Sequence, residues 1–377
     1  LKYVSPRACF IRGEPRDSKE KNINTGIYKD FIELTSKNID KTVSPFSGMA
    51  LKESIESVTS KIKEVFQTSN DLYILTSSGT GALESAVVNT ISPNDSVLSI
   101  SVGVFGDRFS QIAHMYGADV TDLKIEAGKA VDPEQIRKEL NSNPKISTVI
   151  VTHNETSTGI TNDLQSIAQV VKGEFDKLLL VDSVSGMGSI PCPVDSWDLD
   201  VVASGSQKGW MAQPGLAFIS VSKEAWEAQS KATTPRFYFD WEKAEQYLQR
   251  GQNPWTPAIS VMYAMDKSLT MILNEGLGAV YERHQTIATK TREAVKSIGL
   301  ELFADEKYAS NTVTAVKAPD GINCGELLSN LRTKYNIVLA GGQAYLEGTM
   351  FRIGHLGFVP EKEIDEVIDA LKKELGR

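Results

Sequence analysis

Short runs of Val, Ile and Leu recur between Leu72 and Ser220, and the segments between them carry helical spacing. The runs are Leu72–Leu75, Ser96–Ile100, Thr148–Val151, Leu178–Val181, Val201–Ala203 and Leu216–Ser220. Strands with one wet face alternate apolar and polar residues. These mostly do not, so they read as strands covered on both faces, in a mostly parallel sheet between two helix layers. Apolar Leu51, Ile55, Val58, Ile62 and Val65 predict an amphipathic helix over Leu51–Phe66. Further helices are predicted over Ala82–Asn89, Asp107–Tyr116, Pro133–Leu140 and Leu164–Val171, with Pro133 suited to a first turn.

The pattern changes after about residue 223. Asp240–Arg250 and Ile259–Glu275 read as helices, and Thr312–Val316, Ile337–Ala340 and Met350–Ile353 as strands. Ile364, Val367, Ile368, Leu371 and Leu375 mark a last amphipathic helix. The expected order is an arm over residues 1–23, a large α/β domain over 24–257, and a linking helix with a smaller α+β domain over 258–377.

The chain has 377 residues and a net charge of 40 − 48 = −8, which argues against nucleic acid or an anionic membrane as partner. No apolar run is long enough to span a bilayer, and charges interrupt every apolar stretch of residues 1–22. Cys9, Cys192 and Cys324 are too scattered for a disulfide framework or a thiolate zinc site. Reducing cytoplasm is the expected setting. The four histidines show no metal-ligand spacing, and no metal is expected.

In open parallel sheets, ligands sit beyond the carboxyl ends of the strands. Three such ends carry chemistry here. After Leu75, the stretch Thr76-Ser77-Ser78-Gly79-Thr80-Gly81-Ala82 runs into a helix. It reads either as a phosphate cradle or as a plain glycine-containing turn. Asp182 follows an apolar strand, where a carboxylate needs a partner, either a ligand cation or the next turn. Lys208 follows another strand end, among small residues. An anion cradle, an acid and an amine together are the set that a pyridoxal phosphate enzyme needs.

Six segments, in order, carry a resemblance. They are Ser77–Glu84, Gly103–Arg108, Asn154–Gly159, Val181–Ser185, Ser204–Lys208 and Phe351–His355. With them the chain resembles the class V, fold type I aminotransferases, in the alanine/serine–glyoxylate or –pyruvate branch, from about residue 50 onward. The resemblance implies a PLP-dependent homodimer with a mostly parallel seven-stranded sheet. It implies transfer of an amino group from a small amino acid to a 2-oxo acid. Lys208 would hold the cofactor as a Schiff base and move protons, and Asp182 would keep the pyridine nitrogen protonated. Phe105 would stack on the ring. Ser78, Gly79, Thr80 and Gln207 would bind the phosphate, and Thr256 would reach in from a partner subunit. Either Thr156 or Ser157 would bond the phenolic oxygen, and Arg352 would clamp the substrate carboxylate.

Departures from the family pattern fall at Asn24–Ile27, Pro45–Phe46 and Asn253. The first two lie where the substrate pocket is expected, so alternatives stay open: a less usual amine such as ureidoglycine or an aminophosphonate, or a cysteine desulfurase or lyase. Against the desulfurase, Cys324 reads as a helix start and Gln207 stands where those enzymes carry His. A non-catalytic PLP-fold binding protein fits poorly with Lys208, Asp182 and Arg352 together. A nicotinamide-dependent dehydrogenase would need a glycine fingerprint that is missing.

Overall fold

The computed structural model describes residues 48–377. The expected arm, Cys9, Asn24–Ile27 and Pro45–Phe46 lie outside the described residues.

A seven-stranded sheet has the order β1-β9-β8-β7-β4-β2-β3. Its strands are β1 (Asp71–Leu75), β2 (Ser96–Ser101), β3 (Asp119–Lys124), β4 (Thr148–Thr152), β7 (Leu178–Asp182), β8 (Val201–Gly205) and β9 (Ala217–Val221). β3, β2, β4, β7 and β8 run parallel, while β9 is antiparallel to both its neighbours. Two reversals cancel, so β1 points the same way as β8. The carboxyl ends of β1, β2, β4, β7 and β8 therefore share one edge of the sheet.

Successive residues of a strand face opposite sides, and both sides are buried here. Val149 and Val151 of β4 and Leu179 and Val181 of β7 join one core. Ile150 and Leu180, between them, join the other. The first core holds α1 (Gly48–Phe66) through Ile55, Val58, Ile62 and Val65, and α8 (Ile259–Glu275) through Met262, Met265 and Leu269. Lys61 of α1 pairs with Asp266 of α8 at 2.7 Å. The second core holds α2 (Gly79–Thr90) and α3 (Val104–Met115) through Leu83, Val87 and Phe109. On the first face lie α4 (Pro133–Ser142) and α5 (Leu164–Ala168), the latter continued by a π-helical segment, Gln169–Glu174. α6 (Lys223–Lys231) and α7 (Trp241–Leu248) cover the second.

A separate three-stranded antiparallel sheet has the order β10-β12-β11, with β10 (Val313–Lys317), β11 (Ala340–Gly341) and β12 (Met350–Gly354). Its own core uses α9 (Leu277–Ser297), α10 (Cys324–Tyr335) and α11 (Glu361–Leu375). Between the two sheets, β5 (Asn154–Glu155) and β6 (Ile160–Thr161) form a small hairpin.

The doubly covered, mostly parallel sheet and the later α+β part agree with the sequence reading. Several elements differ, α6 and the β5–β6 hairpin among them. β3 escapes the reading because Asp-Val-Thr-Asp-Leu-Lys has no apolar run; an edge strand pairs on one side only and keeps polar residues. α9 follows α8 across Gly276 alone, so only a single residue separates two long helices. The strand expected over Ile337–Ala340 shrinks to Ala340–Gly341. Asn336 takes a left-handed turn, and the Ile337 amide closes α10 by donating to the Leu331 carbonyl, so this stretch is not available to the ladder.

Candidate active site

Among the described residues, five α-helices start on a side-chain cap. Asp132, Asp163, Ser222, Asp240 and Asn323 each accept from an amide of the following turn. Two helices at the shared edge lack a cap from their own N-terminal residue. α2 begins after Ser78, whose side chain makes no cap bond, and α3 begins after Gly103, which has none to offer. The two starts face one cavity. Gly81 in the first turn of α2 donates to the Ser78 carbonyl, which leaves the Gly79 and Thr80 amides at this end suited to an anion. Gly79 permits the close approach: a Cβ there would lie 2.6 Å from Val184 Cγ2.

Ser78, Gly79 and Thr80 form one wall of the cavity, Phe105 and Arg108 of α3 a second. Asp182 at the end of β7, Val184 and Ser185 just after it, and Gln207 and Lys208 after β8 form the floor; Asn154 and Thr156 close it from the hairpin side. The Lys208 ammonium lies 5.8 Å from the Phe105 ring centroid, and the Arg108 guanidinium carbon 4.9 Å from the same centroid. Both cations thus lie within reach of one aromatic ring. Arg108 Nη1 is 3.4 Å from Thr80 Oγ1.

Asp182 is buried, and Oδ1 accepts from the Val184 amide at 2.9 Å. Burial pushes its carboxyl up to about 7; the Val184 amide opposes this, Glu155 adds to it, and Lys208 and Arg108 subtract. A carboxyl held there gains from a cationic partner. Gln207 Oε1 is buried without a hydrogen-bond partner among the described residues. An unmet polar atom on the wall of a cavity points to a polar ligand. Uncapped helix start, poised carboxyl, buried amine, aromatic face and unmet amide all fit pyridoxal phosphate.

The structure thus brings together Ser78, Gly79, Thr80, Phe105, Thr156, Asp182, Gln207 and Lys208. It separates the pair that the sequence leaves open: Thr156 lines the cavity, whereas the Ser157 hydroxyl turns away, accepting from the Val104 amide and donating to Glu155. Arg352 on β12 is buried beside the cavity rather than in its lining. Its Nη1 donates to the Thr156 carbonyl at 2.8 Å, and Nε and Nη2 donate to the Gly341 carbonyl. Thr256 is exposed and lies outside this cavity, with its carbonyl accepting from Thr76. Arg108, Asn154 and Glu155 received no role in the sequence reading although they stand inside the quoted segments. Nothing in one sequence says which face of a segment meets the cavity.

Three of the four histidines are buried and bonded within the fold. His153 contacts Ser183 and packs edge-on against Trp197; His284 bonds Val280 and Gly357; His355 bonds Thr314 and Asn311. Cys324 is buried, its thiol 3.4 Å from the Met350 carbonyl. Among the described residues no His, Cys, Asp and Glu cluster has the form of a metal site.

The family model for class-V aminotransferases matches residues 28–359. The chain belongs to the class-V aminotransferases. It is 36% identical to a serine–glyoxylate aminotransferase of Methylorubrum extorquens over 79% of this chain and 77% of that one. It is 41% identical to a protein of Synechococcus sp. named soluble hydrogenase, small subunit, over 85% of this chain and 83% of that one. The crystal structure of an alanine–glyoxylate aminotransferase from Nostoc sp. superposes with a TM-score of 0.86 at 28% identity, covering 100% of this chain and 97% of that one. Membership explains why the cradle, the acid and the amine occupy three ends of a single sheet. Among the described residues no helix of this aminotransferase is long and apolar enough to cross a membrane.

Proposed function

We propose that this class-V aminotransferase works with pyridoxal 5′-phosphate. It moves the amino group of a small amino acid, of the alanine or serine type, to a 2-oxo acid such as glyoxylate or pyruvate. The observation that carries the reading is the single cavity holding Ser78–Thr80, Asp182 and Lys208 under the Phe105 ring. The names of the Methylorubrum and Nostoc relatives support the choice of substrates. The Gly79 and Thr80 amides of α2, the Ser78 and Thr80 hydroxyls and the Gln207 amide would hold the phosphate. Asp182 would hold the ring nitrogen, Phe105 would cover one ring face, and Lys208 would hold the group covalently.

The bound cofactor supplies an electron sink that loosens the bond between the α-carbon of an amino acid and its hydrogen. The residues do the rest. Asp182 keeps a proton on the ring nitrogen by supplying a buried negative charge. Lys208, buried in the same cavity, would take up and return the proton of the substrate's α-carbon. Thr156 bridges the centre to Arg352, whose planar fork is fixed by two backbone carbonyls and so meets the substrate carboxylate pre-oriented. Burial of Asp182 and Lys208 keeps water from competing.

The working unit is a homodimer in this proposal, with Thr256 completing the partner's site. Its exposure outside its own cavity supports this, as do the exposed rings of Phe237 and Tyr238 stacked beside Trp255. The two described cysteines, Cys192 and Cys324, are buried and unpaired, which supports a reducing, cytoplasmic setting.

Borohydride reduction of the PLP-loaded protein followed by peptide mapping tests the reading. The pyridoxyl mass is expected on Lys208, and alanine or serine with glyoxylate or pyruvate is expected to interconvert the two cofactor forms. The mass on another lysine, or on none, overturns it.

A further inference from the structure

Glu155 is fully buried at the end of β5. Four donors hold its carboxylate. Oε2 accepts from the Phe105 and Gly106 amides, both at 3.0 Å. Oε1 accepts from the Ser157 amide at 3.0 Å and the Ser157 hydroxyl at 2.6 Å. The same hydroxyl accepts from the Val104 amide at 2.9 Å. Together, Glu155 and Ser157 therefore take up the amides of Val104, Phe105 and Gly106, the whole first turn of α3. A carboxylate at this end also favours the helix dipole. Gly103 makes the contact possible, since a Cβ there would lie 2.5 Å from Ser157 Oγ and 2.6 Å from Glu155 Cγ.

The turn held in this way carries Phe105, and Arg108 follows one turn later. We propose that Glu155 is a positioning residue: from outside the cavity it fixes the start of α3 so that Phe105 lies over the cofactor ring and Arg108 beside it. The inference rests on the PLP reading above. Glutamine at 155 would keep the shape but turn one acceptor into an NH2 group facing amide donors, which repels one side of the turn and loosens Phe105.

The test is a double-mutant cycle on cofactor binding, with Glu155→Gln, Phe105→Leu and the pair, read by PLP titration and by visible circular dichroism of the bound cofactor. Glu155→Gln is expected to weaken PLP binding about tenfold, the scale of a lost hydrogen bond to a charged group, and to alter the dichroism. The double variant is expected to bind no more weakly than the weaker single one, because both changes disable the same contact. Additive losses overturn the proposal, as does wild-type binding and dichroism in Glu155→Gln. Should Glu155→Gln fail to fold, Ser157→Ala enters the same cycle with a smaller expected loss and the same non-additivity. Wild-type protein that takes up no PLP overturns the cofactor reading itself, and this inference with it.

Discussion

Asparagine in place of Asp182 keeps the size of the side chain and removes its charge. In the free protein the carboxyl is pushed up to about 7, chiefly by burial. A protonated ring nitrogen requires the ionised form. Below pH 7 the free protein must first lose a proton to bind it, which costs about 1.4 kcal/mol for each pH unit. The sign follows: affinity on this account is full above about pH 7 and falls as the pH drops. Between pH 8 and pH 6 the Asp182 contribution weakens binding about tenfold. The cofactor also titrates, but the ratio of wild-type to Asp182→Asn affinity cancels that part. The ratio is therefore expected to fall about tenfold from pH 8 to pH 6 when PLP binding is followed by fluorescence titration. In the same variant, the single-turnover rate with alanine or serine is expected to fall further than the affinity, because the cradle and Lys208 remain. A constant affinity ratio across that range, or near-normal turnover in Asp182→Asn, would refute the assignment.

Arg352→Lys keeps the charge but loses the fork held by Gly341 and Thr156, so the KM for amino acids is expected to rise by about 1–3 kcal/mol in free-energy terms. Equal wild-type turnover of an amino acid and its decarboxylated amine would sink that role. His153, His284 and His355 are held neutral, pushed down to about 4, 4 and 3, mainly by burial. Their folded values lie below the unfolded value of about 6.5, so their contribution is full above that pH and is lost as the pH falls toward 4, at about 2 kcal/mol per histidine by pH 5. Urea midpoints at pH 7.5 and 5 are expected to show the drop, and equal midpoints would count against it. Refolded mixtures of Lys208→Ala and Thr256→Ala subunits are expected to regain activity beyond either parent; no recovery from confirmed heterodimers of two impaired parents would exclude a shared site.

Much of the site was legible because its signals are local. Lys208, Asp182 and the Ser78–Thr80 turn each follow a strand that its own composition betrays, and strand ends are where such a sheet places ligands. Arg108 and Glu155 were quoted without a role because their meaning depends on what stands opposite. Glu155 reads as an ordinary acid until the first turn of α3 is seen to lie 3.0 Å away. The choice between Thr156 and Ser157 is likewise a matter of which side chain points inward, and neighbouring residues of similar chemistry leave no trace of that in sequence.

By itself the sequence determined the layered α/β character, because an unbroken apolar run can be satisfied only between two covering faces. It determined the helix starts at Asp132 and Asn323, since short polar side chains there satisfy amides of their own turn. Tertiary structure alone decided the strand order, the polar edge strand β3, and the cancelling reversals at β9 that return β1 to the same edge as β7 and β8. Those are choices among pairings far apart in the chain, where local composition is almost neutral. The active-site cavity depends on them: the cradle and the lysine belong to strands on either side of β9, and only the assembled sheet brings them together.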